Sequence, residues 1–486
     1  MSKPASILDY YPDYEATLGI EVHVQLTTKS KIFCSCANEI GQEPNTNICN
    51  ICAGYPGSLP VLNKQVLDWA ILVGKATNCT IAKLSTFARK HYFYPDLPKD
   101  YQITQSDQPI CTDGHISIQL EDGSLKKIRI MRIHMEEDAG KNIHAGDSNE
   151  SFVDLNRTGT PLLEIVTMPD ISNAYEARAY LKQLHAIVRY LGVCTGNMEE
   201  GAFRADTNIS VKKKTATKLG TRAELKNINS FKYISDAVDY EIERQIELIE
   251  GGGTVRQETR LWDTKNKKTV MMRSKEEAAD YRYFLDPDLP FLEITEEWIE
   301  RITKQMPELP LQKHERLVNT AGLSPYEADI LIEDIDLAHY FEQTFKINPS
   351  KHIINWILRD LMGYLKEHKI TPAECKVTPD KLAELVGLVE KGTINNRAAQ
   401  EIFALVAQNS KSPTHLVKEL GLEQVGSTEE LEIIIKEIVT SNPTQAADYK
   451  LGKDKLFGFF VGLAMQKTKG KGNPKIIQDL LKKYLS

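Results

Sequence analysis

Four groups of residues in this chain have the types and spacing that chemistry needs. The first is the stretch 154–170, DLNRTGTPLLEIVTMPD. Thr158, Gly159, Thr160 and Pro161 make a tight turn, because Gly permits positive φ and Pro fixes its own. Leu162 to Val166 then reads as a short buried strand, interrupted by Glu164. A carboxylate there is costly unless it meets a cation. Glu164 is therefore either half of a salt bridge, with Arg157 as partner, or part of a metal or phosphate site. The second group lies in an alternating strand. Leu18, Ile20, Val22, Val24 and Leu26 face one way, and Glu21, His23 and Gln25 the other. Residues two apart lie roughly 6.5–7 Å apart on one face, so one cation could bridge Glu21 and His23; a solvated polar face would read the same. The third group is Glu136, Glu137 and Asp138, at the end of a predicted strand over 126–135. Adjacent acids repel, and a cation or solvent relieves them. With Glu21, His23 and Glu164 they offer the oxygen-rich ligation that Mg(II) takes.

The fourth group is Cys34 and Cys36, followed by Cys49 and Cys52. Two close thiol pairs across a short loop suit a tetrahedral four-sulfur Zn(II) site. Four separate core cysteines are the alternative. A redox pair fits less well, since CxxC alone needs no second pair. Cys79, Cys111, Cys194 and Cys375 stand isolated and read as packing residues.

These groups need elements to position them. Residues 62–78 are helical in pattern. Residues 87–99, FARKHYFYPDLPK, read as a basic, aromatic loop, since their prolines argue against regular structure. After Asp170 a helix is expected, with Asn173 as cap, Glu176 three residues on, a stripe from Ala177 to Leu191, and Gly192 as stop. Residues 204–211 read as a strand with Asp206 and Asn208 on one face. Ser230 can cap a further helix with Ile234, Val238, Ile242, Ile246 and Ile249 in its buried stripe. The glycines 251–253 follow that helix rather than open one, so they are a stop signal and not a phosphate loop. There is no Walker A and no dinucleotide fingerprint.

The 486 residues are enough for two to four domains, and 41% hydrophobic content suits a globular chain. The net charge of −7 hides an asymmetry. From Lys450 to Ser486 nine lysines face two aspartates, a net +7, so the rest carries −14. A basic tail on an acidic body suggests local contact with a polyanion; a merely soluble helical face is the alternative. Within that tail, KTKGKGNP (467–474) sets Lys467, Lys469 and Lys471 among small residues that allow close approach to a phosphate backbone. Residues 1–15 lack the pattern of a signal or transit peptide. The apolar run Phe457–Met465 is too short to span a bilayer. We therefore expect a cytoplasmic protein. Mixed strands and helices followed by helices alone predict an α+β domain (1–294), a helical domain (295–409) and a small basic helical domain (410–486).

The chain resembles the B-subunit (GatB) family of tRNA-dependent amidotransferases. The resemblance rests on 154–170 together with GIEVHVQ (19–25), HYFYPD (91–96), RIHMEEDAGK (132–141), AELKNINSF (223–231), DYRYF (280–284) and the tail 457–481. It spans nearly the whole chain. It implies a glutamine-synthetase-like cradle as the first domain. It also implies conversion of Glu-tRNA(Gln) or Asp-tRNA(Asn) to the amidated form, with ATP phosphorylating the side-chain carboxylate and ammonia displacing phosphate. By residue match it implies a Mg(II) site from Glu21, His23, Glu137, Glu164 and Asp206, with Glu136 as substitute, and an ammonia route past Lys90 and Lys99. Arg157, Asn156, Asn208 and Lys226 are the expected phosphate or substrate contacts. Some members lack the four cysteines, which makes the zinc structural. No glutaminase nucleophile is evident in this chain, so an amidase A subunit and a small C subunit are the expected partners. The acidic body would meet them and the basic tail would meet tRNA. Two other classes stay open on residues alone: a zinc-stapled tRNA-binding scaffold, and a free-standing ligase using ammonia directly.

Overall fold

A computed structural model describes residues 6–144, 150–274, 281–423, 428–468, 472 and 474–485. The chain forms two compact units, Met1–Gln312 and Lys313–Ser486. The first is built on a nine-stranded sheet. Its strands are β1 (Tyr14–Gln25), β2 (Thr80–Ile81), β3 (Cys111–Gln119), β4 (Leu125–Glu137), β5 (Pro161–Thr167), β6 (Phe203–Lys213), β7 (Ala223–Ile228), β8 (Glu258–Asp263) and β9 (Lys268–Ser274). Across the sheet they run β9-β8-β7-β6-β1-β5-β4-β3-β2. Every pair is antiparallel except β7 with β8.

The alternation of β1 decides the sheet's two faces. Leu18, Ile20, Val22 and Val24 are buried on one, in a core with three helices: α1 (Lys64–Ala76), α2 (Ala174–Tyr190) and α3 (Phe231–Glu250). Asn173 caps α2, accepting from Glu176 N, and Ser230 caps α3, accepting from Tyr233 N. Tyr180, Leu181 and Leu184 of α2 and Ile234, Val238 and Ile242 of α3 are fully buried, as their spacing predicts. The other face carries Glu21, His23 and Gln25.

Three local expectations differ from the structure. Residues 88–91 are not loop. They form a strand between Tyr101–Thr104 and Phe284–Leu285, because Pro95 and Pro98 fall after it and Arg89 is held by Asp286 at 3.0 Å. The break expected at 294 falls inside the first unit. Pro287 and Pro290 only punctuate a loop, for Leu292–Glu293 returns to pair with Leu84–Ser85, and Trp298 and Ile302 of helix Glu296–Thr303 join the first core. The second unit is helical and holds two separate cores, from Leu317 to Val417 and from Leu431 to Leu485. Its internal break therefore lies beyond 410, because Leu416 and Val417 of helix Pro413–Glu419 pack into the earlier core. The second unit includes a π-helical turn, Trp356–Leu361. Among the described residues no helix is long and apolar enough to cross a membrane.

Candidate functional site

Pairing in the sheet brings distant parts of the sequence together. His23 of β1 lies opposite Glu164 of β5, and Glu164 lies opposite His134 of β4. Glu21 lies opposite Asp206 of β6. Directly opposed residues share a face, so all five side chains stand on the polar side of the sheet. His23 Nε2 is 3.3 Å from Glu164 Oε2, 3.4 Å from Glu136 Oε1 and 3.9 Å from Glu21 Oε1. His134 Nε2 is 3.5 Å from both Glu136 Oε2 and Glu164 Oε2. Thr104 Oγ1 donates to Glu136 Oε2 at 3.1 Å. Glu21, His23 and Asp206 form one group with ligand atoms within 4.8 Å of one another; His23, Glu136 and Glu164 form a second.

The electrostatics are those of buried acids crowded around two imidazoles. Burial alone would push Glu136 up, but hydrogen bonds with His134 and His23 hold it well below the carboxylate range. Glu164 is likewise raised by burial and lowered further by His134 and His23, with a net fall. Burial opposes charge on His23, yet Glu136 and Glu164 hold its pKa well above the usual value. Glu21 goes the other way, raised by burial and then by the charge of Glu164. This carboxylate-rich set fits a hard divalent cation. The imidazole charge now balancing it is what such a cation would replace.

The structure assembles some of the expected residues and separates others. Glu137 is one residue along β4 from Glu136 and points to the opposite face. There it is paired with Lys99 and accepts from Ile103 N at 2.9 Å. Lys226 of β7 pairs with Asp206 and lies 3.1 Å from Glu224 Oε1. Burial disfavours its charge, but Asp206 and Glu224 raise its pKa. Lys90 Nζ stands 4.9 Å from the Tyr281 ring centre; burial opposes its charge while Glu136 favours it. Arg157 does not pair with Glu164. Its guanidinium donates to the carbonyls of Ala139 and Gly140 at 2.9 and 2.6 Å and lies 3.7 Å from Asp138. Two cavities flank the cluster. One of about 370 Å³ is lined by Gly19, Glu21, Val166, Asn208 and Arg222. The other, of about 320 Å³, is lined by Gln25, Asn38, Asn156, Arg157 and Glu200. Lys467 is paired with Glu437; Lys469 and Lys471 lie outside the described residues.

Four contributors, His134, Gln25, Arg204 and Lys31, were not singled out from the sequence as site residues. His134 shares the strand parity of Glu136, and that parity was its signal. Gln25 Nε2 and Arg204 Nη2 each donate to Asp138 Oδ2 at 3.0 Å; Gln25 could have been read from the alternation of β1. Lys31 beside the cysteines gave no signal at all.

Cys34, Cys36, Cys49 and Cys52 converge as spacing predicts. All four sulfurs lie within 4.8 Å of one another. Cys52 Sγ is 3.9 Å from Cys49 Sγ and 4.0 Å from Cys36 Sγ. Tetrahedral zinc with 2.3 Å bonds needs about 3.8 Å between sulfurs, so the set fits Zn(II). The Cys34 hydrogen bond and the Cys49 N–H lower Cys52 to about 4 despite burial, with Lys31 contributing. Burial raises Cys36 to about 11. An ion that prefers thiolates would settle the competition among the four.

Residues 16–300 match the family model described as the GatB/GatE catalytic domain, and residues 339–485 match the GatB domain. Several curated proteins, each named as the B subunit of an aspartyl/glutamyl-tRNA(Asn/Gln) amidotransferase, are similar throughout. That of Geotalea uraniireducens is 52% identical over 477 residues, covering 97% of this chain and 99% of the relative. Those of Thermodesulfovibrio yellowstonii and Persephonella marina are each 50% identical, covering 97% of this chain and 99% and 100% of the relatives. With both domain matches in order and half of all residues shared end to end, this chain belongs to the GatB family.

Proposed function

We propose that this chain carries the carboxylate-activating and amide-forming site of a tRNA-dependent amidotransferase. The observation that carries the reading is the convergence of Glu21, His23, Glu136, Glu164 and Asp206, from four strands, on the polar face of the sheet. The fold class that suits this reading is a glutamine-synthetase-like cradle. A free carboxylate is a poor electrophile at neutral pH. In the proposed reaction, a side-chain oxygen of tRNA-borne Glu or Asp attacks the terminal phosphorus of ATP. The bridging P–O bond breaks and ADP leaves. Ammonia then attacks the acyl carbon, the C–O bond to phosphate breaks, and an amide and inorganic phosphate remain. Phosphoryl transfer of this kind is mostly positioning and charge neutralisation.

The chain's own residues supply that positioning. Glu21, His23, Glu136, Glu164 and Asp206 would hold Mg(II), which when bound neutralises phosphate charge. Glu137 stands on the opposite face and takes the part of a partner to Lys99. Lys226 and Asn208 line the Glu21 side of the face and suit phosphate oxygens. Asn156 and Arg157 border the other cavity, where Arg157 orders the wall by holding two carbonyls. Lys90 and Lys99 mark the ammonia route. The ammonia comes from an amidase A subunit joined through a small C subunit, in the cytoplasm. Lys467, Lys469 and Lys471 of the tail contact tRNA, and the four cysteines hold a structural zinc ion.

The test is amide formation by the purified chain with ATP, Mg(II) and misacylated tRNA. Ammonium and glutamine are compared as donors, with the amidase partner present or absent. Activity with ammonium alone, and with glutamine only when the partner is added, is the expected result. A complete complex that binds tRNA and ATP but forms no amide would make the chain a scaffold.

A further inference from the structure

Lys31 is completely buried, with 0% of its surface exposed. A buried ammonium requires an anion and acceptors around it. Among the described residues no carboxylate lies within ion-pair reach of Lys31. Its Nζ instead donates to the Asn47 carbonyl at 2.8 Å and lies 3.7 Å from Cys52 Sγ. A four-thiolate centre with a divalent ion carries net negative charge, and Lys31 is the cation placed to offset it.

The same side chain supports the turn that leads into β5. Gly159 has φ +83°, and a Cβ there would stand 3.4 Å from Lys31 Cδ and 3.6 Å from Cys52 Cβ. Ile32 N donates to Gly159 O at 2.9 Å. The cysteine loop and this turn are also tied directly. Asn47 N donates to Asn156 Oδ1 and Leu155 N to Asn45 Oδ1, both at 2.8 Å. Asn156 Nδ2 donates to the Glu43 carbonyl at 2.7 Å. The loop, the lysine and the turn are one bonded piece. Its far side forms the cavity wall at Asn156 and Arg157, and Glu164 follows five residues after Gly159.

We propose that Lys31 is a positioning residue that couples the cysteine centre to the turn 155–160, so that metal content sets the order of the cavity wall and of the entry to β5. The proposal rests on the zinc reading given above. With the metal gone, no ligand bonds hold the four sulfurs together, and the loop that carries Asn45, Asn47 and Cys52 is no longer fixed against Lys31 and the turn. The turn then loses its floor and its Asn45 and Asn47 partners together.

The experiment uses the full chain, as wild type and as Lys31→Met. Zinc content and the rate of zinc release to a chelator are measured, together with amide hydrogen exchange over 155–160 and over α3 as reference. Loss of an outer partner commonly weakens metal binding about 10- to 100-fold, so release from Lys31→Met should be at least about ten-fold faster. Exchange over 155–160 should rise in the variant and equally in chelator-stripped wild type, with α3 unchanged. If Lys31→Met does not fold, stripped wild type decides alone. Zinc release at the wild-type rate from Lys31→Met, or unaltered exchange over 155–160 after stripping, would overturn the coupling. Wild type that binds no zinc would overturn the metal reading itself, and the coupling with it.

Discussion

The carboxylate–histidine cluster and the cysteine centre are both groups of side chains that could hold a metal ion, within one unit, and they are built in opposite ways. The first draws Glu21, Glu136, Glu164 and Asp206 from four strands and places them by register. The second draws four sulfurs from one loop, residues 34–52, and places them by short spacing. Their chemistry differs to match. Hard oxygen donors with open cavities on both sides suit a cation that keeps water and phosphate oxygens. Four thiolates suit a closed tetrahedral site with no position left for a substrate. A strand-built site can face a ligand because only one side of the sheet is spent on the core. A loop-built site has no core of its own, so a metal bound there would serve as its core.

This contrast is broken most directly by exchanging the roles of the two sites. Glu164→Gln keeps the size of the side chain and removes the charge between His23 and His134. Ammonium-dependent amidation should fall by about 10³-fold or more. Zinc content and thermal midpoint should stay near wild type. Amidation within a few-fold of wild type would remove Glu164 from the cation site.

The reciprocal change is Cys49→Ser. It should abolish zinc retention and lower the thermal midpoint by roughly 5–10 °C, the size expected when a structural metal worth a few kcal/mol is lost. The kcat of the surviving enzyme should remain within about ten-fold of wild type. A variant as inactive as Glu164→Gln but thermally unchanged would reverse the assignment of the two sites.

A third region sharpens the comparison because it would bind without organising chemistry. Replacing Lys467, Lys469 and Lys471 together by Ala should raise the KM for tRNA about ten-fold and leave kcat unchanged. It should also flatten the salt dependence, by close to one unit of log–log slope for each phosphate that is no longer neutralised. An unchanged KM and slope would exclude these lysines from the tRNA interface.

How much of this was legible follows from the same contrast. Spacing alone exposed Cys34, Cys36, Cys49 and Cys52, because their proximity is written in the chain. Alternation exposed Glu21 and His23, and the broken apolar run exposed Glu164. Choosing between Glu136 and Glu137 needed the register of β4 on β5, in which Glu164 meets His134 and a bulge falls between Val166 and Thr167. No local pattern states a register. The partner of Arg157 was equally hidden, since the turn carries its guanidinium to the Ala139 and Gly140 carbonyls. The helices α2 and α3 were legible down to their caps, because caps and stripes are local. The boundaries at 294 and 410 were not, because a core ends where packing ends, and neither prolines nor a shift in composition records that.

Asp239 on α3 supplies the internal control for the acids of the cluster. It is only partly buried, where Glu136 and Glu164 are buried, and it has no histidine. Its Oδ1 lacks a hydrogen-bond partner among the described residues. Burial, with the charges of Asp236 and Glu243, raises it from 3.8 to about 6, whereas the imidazoles take Glu136 the other way. The sign for stability follows. Near pH 3 and below, the group is protonated in both folded and unfolded chains and costs nothing. As pH rises from about 4 to about 6 the unfolded chain ionises this carboxyl while the folded chain resists it, so stability is lost across that window and the loss is complete above it. Asp239→Asn should therefore stabilise the protein at pH 7.5 by about 1 kcal/mol, after discounting for the water that still reaches the side chain. The gain should vanish near pH 3, and denaturant titrations at the two pH values measure it. An equal gain at both would mean that Asn improves packing, and that the carboxylate charge was never the cost.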